Sequence, residues 1–163
     1  MRDNDKLTYL NIMIDTLRKK DNILDELKTV TIKQAEILEE EEFDADEFDK
    51  TIDQKQIKID ELLKLDEGFM DLYEKVKDTL IKDGKDYAPE IEQAKVLIKK
   101  QTDMSMELQA LEEKNRLKLS VHISNGRQKG KDFRVSSRTA AAYYKNMSNH
   151  HQDGDSYFLD SKK

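Results

Sequence analysis

Three histidines, His122, His150 and His151, are the side chains of this sequence best suited to proton transfer or metal binding near neutral pH. A metal centre needs further nitrogen, oxygen or sulfur ligands at set spacing. The Glu-x-x-His motif of di-iron carboxylate bundles is absent, and none of the three histidines has an acidic residue at that spacing. The pair His150-His151 has no other nitrogen or sulfur ligand nearby, which suits adventitious metal binding only. The chain has no cysteine, so disulfides, thiolate metal sites and cysteine nucleophiles are excluded. No phosphate-cradling glycine loop, nucleophile elbow or HExxH motif appears. The 35 Asp and Glu residues read as the solvated faces of helices. We therefore expect no enzyme: no catalytic residue, no cofactor-binding residue and no metal site.

The remaining chemistry is that of binding surfaces. Met104 and Met106 have two readings. In the plainer one Met104 packs in a core while Met106 is partly exposed. In the sharper one they begin a flexible apolar surface, continued by Leu117, Leu119, Val121 and Ile123, that accepts an amphipathic helix. Tyr143-Tyr144 either docks a short helix onto the body or anchors a protein partner. Charge is divided along the chain. Residues 1–113 carry 18 Lys/Arg against 31 Asp/Glu, whereas residues 114–147 carry nine against one, inside a total of −6. A basic arm with Phe133, Tyr143 and Tyr144 has the ingredients of a nucleic-acid binder. The acidic body repels phosphate, so nucleic acid is not the expected partner.

These residues have to be positioned by helices. With 39% charged residues, one Pro and five Gly, the composition is that of long helices rather than a sheet with frequent turns. The clearest helix start in the chain precedes residue 45. Asp44 is placed as N-cap, with Glu47 three residues on as in a capping box, and Phe43 and Phe48 hold the two positions of a hydrophobic staple. The stripe Phe48, Ile52, Ile59, Leu62, Leu63, Phe69, Tyr73, Val76 and Leu80 then predicts a helix over about 45–83, roughly 55 Å long. Gly68 lies inside it, pointing to a close neighbouring backbone or a slight bend, and Gly84 is expected as its left-handed cap. Before it, Leu10, Leu17, Leu24 and Leu38 recur in steps of seven, with Thr31 at the missing step, predicting a helix from 3 to about 42. The acidic run Glu39–Glu42 opposes the macrodipole and marks a fraying point. A third helix is expected over about 89–124. It opens at Pro89, runs through Ile91, Ala94, Leu97, Ile98, Met104, Leu108 and Leu111, and stops at Asn125-Gly126. The local alternation Leu117, Leu119, Val121, Ile123 spreads apolar groups round more than one face of that helix. Residues 127–136 read as a basic linker, Ser136 or Ser137 as the cap of a short helix through Met147, and 148–163 as a disordered tail. The expected fold is all-α: an elongated antiparallel bundle of three long helices over 1–124, with a mobile C-terminal arm carrying a short helix. No N-terminal apolar segment reads as a signal peptide and no stretch is apolar enough to span a membrane, so a soluble, cytoplasmic protein is expected.

The Leu-spaced first helix, IDELLKLDEGFMDLYEKVK (59–77), EEKNRLKL (112–119) and RTAAAYYKNM (138–147) together resemble the bacterial flagellar export chaperones of the FlgN type, with the FliT type close behind. The match spans about residues 7–147. It implies a small acidic cytoplasmic protein that is not an enzyme. Such a protein holds the amphipathic terminal helix of hook–filament junction or cap proteins, prevents their premature assembly, and passes them to the type III export gate. Carried over, the resemblance makes Leu108, Leu111, Leu117, Leu119, Val121 and Ile123 client-contact candidates, and Tyr143 and Tyr144 gate-docking candidates. The basic stretch 127–134 has no counterpart in the family pattern. The competing expectation is a structural coiled-coil protein whose exposed stripe is its own dimer interface. Polar Thr31, Asp66, Gln101 and Asn115 interrupt the sustained heptads such a protein uses.

Overall fold

The computed structural model describes residues 3–128, and within them the side chains of 5–126. The described chain is all helical. It comprises α1 (Asp3–Glu39), α2 (Ala45–Asp83), a single 3₁₀ turn (Gly84–Tyr87) and α3 (Ala88–Gln128). Helix α1 packs antiparallel to α2. The run from Ala45 onward is one long helix bent at the 3₁₀ turn, whose second limb, α3, returns alongside α1.

The start of α2 is built as its sequence dictates. The Asp44 carboxylate accepts from the Glu47 backbone N–H at 3.1 Å, satisfying one of the orphan donors of the first turn. Phe43 and Phe48 meet with ring centroids 5.7 Å apart, closing the staple. The Glu47 carboxylate turns outward to Lys50 at 3.5 Å. The acidic run behaves as its charge predicts: α1 ends at Glu39, and 40–44 form the turn.

Three apolar clusters, each drawing on all three helices, hold the rod together. Leu10, Met13, Ile14 and Leu17 pack with Phe69, Tyr73, Val76, Tyr87, Ala94 and Ile98 at one end. Leu24 and Leu27 meet Ile59, Leu62 and Leu108 in the middle. Ile37, Leu38, Phe43, Phe48, Ile52 and Leu119 close the other end. At roughly 1.5–3 kcal/mol for each large side chain taken out of water, these clusters supply the main driving force. Two polar layers separate them. One holds Lys20, paired with Asp66 at 3.1 Å, together with Gln101 and Ser105. The other holds Thr31, Gln34, Thr51, Lys55, Glu112 and Asn115, all buried.

Several expectations are corrected. Gly84 is right-handed (φ −55°, ψ −28°), because the chain tightens into a 3₁₀ turn instead of stopping on a left-handed cap. A Cβ at Gly68 would meet nothing within 4 Å, so no neighbouring backbone requires that glycine. Helix α1 is shorter than expected at its C-terminal end, and α3 passes straight through Asn125-Gly126 to Gln128. Residues 127 and 128 of the expected linker are thus helical. The remainder of the linker, the short helix and the tail lie outside the described residues.

Candidate partner-binding surface

Two parallel rows of contacts seat α3 on α1. The first is buried except at its part-buried last member, His122. The Gln101 side-chain amide donates to the Leu17 carbonyl (2.6 Å), that of Asn115 to the Thr31 carbonyl (3.1 Å), and Nε2 of His122 to the Leu38 carbonyl (2.7 Å). Each pair is separated by 84 residues. Leu24 and Leu108, at the same separation, fill the vacant step in the middle cluster. A carbonyl can only accept, so His122 carries its proton on Nε2. Its ring stacks on Phe43 with centroids 4.8 Å apart. The second row is at the surface. Lys100 pairs with Asp21 (2.7 Å) and Lys28 with Glu107 (3.0 Å), each 79 residues apart, and Lys118 pairs with Glu39 at that same separation.

This seating decides which apolar residues of α3 face outward. Leu108 and Leu119 are 1% and 5% exposed and belong to the core clusters. As client-contact candidates they are therefore displaced: their surface is already taken by α1 and α2. Leu111 is half-buried, and Ile123 packs part of its surface against the end cluster. Leu117 and Val121 stand clear at 54% and 57%. Met106, at 65%, and exposed Ala110 lie on the same side of the helix at 3.6 residues per turn. Met104 is half-buried beside the middle cluster, so the plainer reading of the two methionines holds for it. The alternation over 117–123 is thus split, with Leu119 and Ile123 inward and Leu117 and Val121 outward, on a continuous helix. The outward stripe Met106–Ala110–Leu117–Val121, broken on the same side by exposed Glu113, spans about 22 Å at 1.5 Å per residue. Tyr143 and Tyr144 lie outside the described residues.

The buried layer contains the residues that sequence reading missed. The Lys55 ammonium reaches the Glu112 carboxylate and the Gln34 side-chain carbonyl, the latter at 2.8 Å. Thr31 donates to Leu27 O (2.7 Å) and lies 3.1 Å from the Glu112 carboxylate. The Gln34 amide donates to the Thr51 hydroxyl (2.9 Å). Burial pushes the Lys55 ammonium well below the usual lysine value. The group is wholly enclosed, so it offers no substrate a path and reads as part of the framework. Elsewhere, Arg116 beside Glu113 holds that carboxyl low. Asp49 is raised by partial burial and by the neighbouring Asp46 and Asp53, a sign of crowded negative charge at the start of α2. Among the described residues no group of three or more His, Cys, Asp or Glu side chains is placed to hold a metal ion. No helix there is long and apolar enough to cross a membrane. In comparisons with protein-family models, curated proteins and solved structures, the chain matches none.

Proposed function

We propose that this protein is a helical-bundle chaperone of flagellar type III export, cytoplasmic and not an enzyme. It binds the amphipathic terminal helix of a hook–filament junction or cap protein on the late half of α3. The single observation that carries the reading is the outward stripe of Met106, Ala110, Leu117 and Val121 on a helix whose opposite face is already committed to α1 and α2. An amphipathic helix laid along it would place its own apolar residues at steps of three and four against this row. The methionine adds adaptability, which suits a site that must release what it holds. Export-gate docking falls to Tyr143 and Tyr144 on the basic arm, as the resemblance implies. In its full form the bundle is three long helices with that arm attached.

The test is co-purification of hook–filament junction proteins with the full chain, compared with Leu117→Asp combined with Val121→Asp. The doubly substituted protein is expected to keep its helicity and lose the client. Retention of the client by that variant would place the site elsewhere. Removal of residues 137–163 is expected to spare client binding and impair secretion, and unchanged secretion would remove the docking role from the arm.

A further inference from the structure

The geometry points to the buried layer of Thr31, Gln34, Thr51, Lys55 and Glu112 as the register lock of the bundle, excluding pairings of α3 slipped by one heptad. The leucine repeat alone distinguishes those pairings poorly. Leu10, Leu17, Leu24 and Leu38 lie on a seven-residue repeat broken at Thr31, so one slip of α3 sets Leu108 beside Leu17 instead of Leu24, and only the other sets it beside polar Thr31, a member of the layer. The buried amide contacts are equally blind. Gln101 and Asn115 donate to main-chain carbonyls of α1, which offers others a heptad away. The part-buried His122 is blind in one direction only, because the other slip carries it beyond the end of α1 at Glu39.

Two features tell the registers apart in both directions. Glu112 meets Lys55 and Thr31 at one level only. A slip of seven carries its carboxylate into the cluster of Leu24 and Leu27 or into that of Ile37 and Leu38, and strands Lys55 without a counter-charge. The surface ion pairs repeat the discrimination. Slipped either way, Lys28 faces Lys100 or Lys114 instead of Glu107, and in one direction Asp21 faces Glu107. A single buried polar position is known to fix register in coiled coils. Here the device is a five-residue layer drawn from three helices. The rival lock is the tight Gly84–Tyr87 turn with Pro89 behind it, since moving that turn along the chain would set Pro89 inside a helix.

The cysteine-free chain allows a direct test with engineered pairs in the full-length protein. Lys28→Cys with Glu107→Cys reports the native register. Lys28→Cys with Lys100→Cys, or with Lys114→Cys, reports the two slips. In the otherwise unaltered chain the native pair should form a disulfide at least about tenfold faster than either slipped pair, given the stranded carboxylate and lysine of the layer. Replacing the layer with apolar groups (Gln34→Leu, Lys55→Met, Glu112→Leu) should bring the three rates within about threefold, because only packing, the turn and the screened surface pairs then remain to discriminate. Native-pair preference at full strength in that variant would overturn the inference and assign register to the turn or the surface pairs. A second variant moves the carboxylate back one heptad, with Ser105→Glu and Glu112→Leu. It should exchange the favoured pair from 28–107 to 28–100. If the transplanted carboxylate leaves 28–107 favoured, the layer does not set the register.

Discussion

Lys55 of α2 and Glu112 of α3 form an ion pair inside the bundle, with side chains only 0% and 5% exposed. Neither charge has water to fall back on, so each depends on the other and on Gln34 and Thr31. Breaking the pair from one side should therefore be far worse than removing it whole. Glu112→Leu is expected to cost about 3–5 kcal/mol, because it leaves a buried ammonium uncompensated. Lys55→Met with Glu112→Leu should be neutral or stabilising. Urea denaturation of Lys55→Met, Glu112→Leu and the double variant measures the difference. Additive losses would mean that the two side chains are not coupled.

The same lysine gives a pH dependence of defined sign. Burial pushes its folded-state value well below the ordinary 10.5, despite the carboxylate beside it. The unfolded chain then holds that proton more tightly than the folded one, so this group's contribution to stability rises as pH climbs toward 10.5. Lys58, Lys77 and Lys100 are raised by hydrogen bonds to Glu26, Glu74 and Asp21. They act the other way: their stabilisation is complete below 10.5 and fades above it. Comparison with Lys55→Met cancels them. As pH rises toward 10.5, through the range where the folded protein gives up this proton before the unfolded chain does, the urea midpoint of the unaltered protein should gain on that of Lys55→Met. Parallel profiles would show that Lys55 titrates normally.

The sequence-to-structure relationship is uneven for physical reasons. The span of α2 and its cap were legible because Asp44, Glu47, Phe43 and Phe48 interact within one turn, where spacing determines contact. Thr31 and Asn115 read separately as defects in two apolar stripes. They are one feature, since Asn115 donates to the Thr31 carbonyl across 84 residues of chain. Lys55 fills the silent step between Ile52 and Ile59, and a lone lysine on a stripe reads as a solvated edge. Asn125-Gly126 is a local stop signal, and at this end His122 and Ile123 hold α3 against Leu38, Phe43 and Phe48. The division of 117–123 into inward and outward residues depends on the seating of α3 on α1, which no short-range pattern encodes.

Asp44 offers the cleanest local test. Its carboxylate satisfies a first-turn donor of α2 at an exposed position, so nothing but the cap is lost on truncation. Asp44→Ala should lower stability by about 1 kcal/mol, and Asp44→Ser or Asp44→Asn should restore most of it. Thermal unfolding of the three variants measures this. Failure of serine and asparagine to rescue would assign the effect to the negative charge at the helix N-terminus, not to the hydrogen bond.

Leu108 and Leu117 look alike in the sequence and should behave oppositely. Leu108 is enclosed by Leu24, Leu27, Ile59 and Leu62, and its truncation to Ala opens a cavity costing about 2–5 kcal/mol. Leu117, more than half exposed, should change stability by less than about 0.5 kcal/mol as Leu117→Ala, and Val121→Ala should do the same. Binding should invert the order. If the outward stripe receives the client, Leu117→Ala and Val121→Ala weaken co-purification at unchanged stability. Leu108→Ala should weaken it only near its own unfolding transition, where the seat of α3 is lost. Calorimetry and client capture on the same preparations separate the two roles. A Leu108→Ala protein that is folded, stable and yet unable to hold the client would move the site off the outward stripe and into the cleft between α3 and its neighbours.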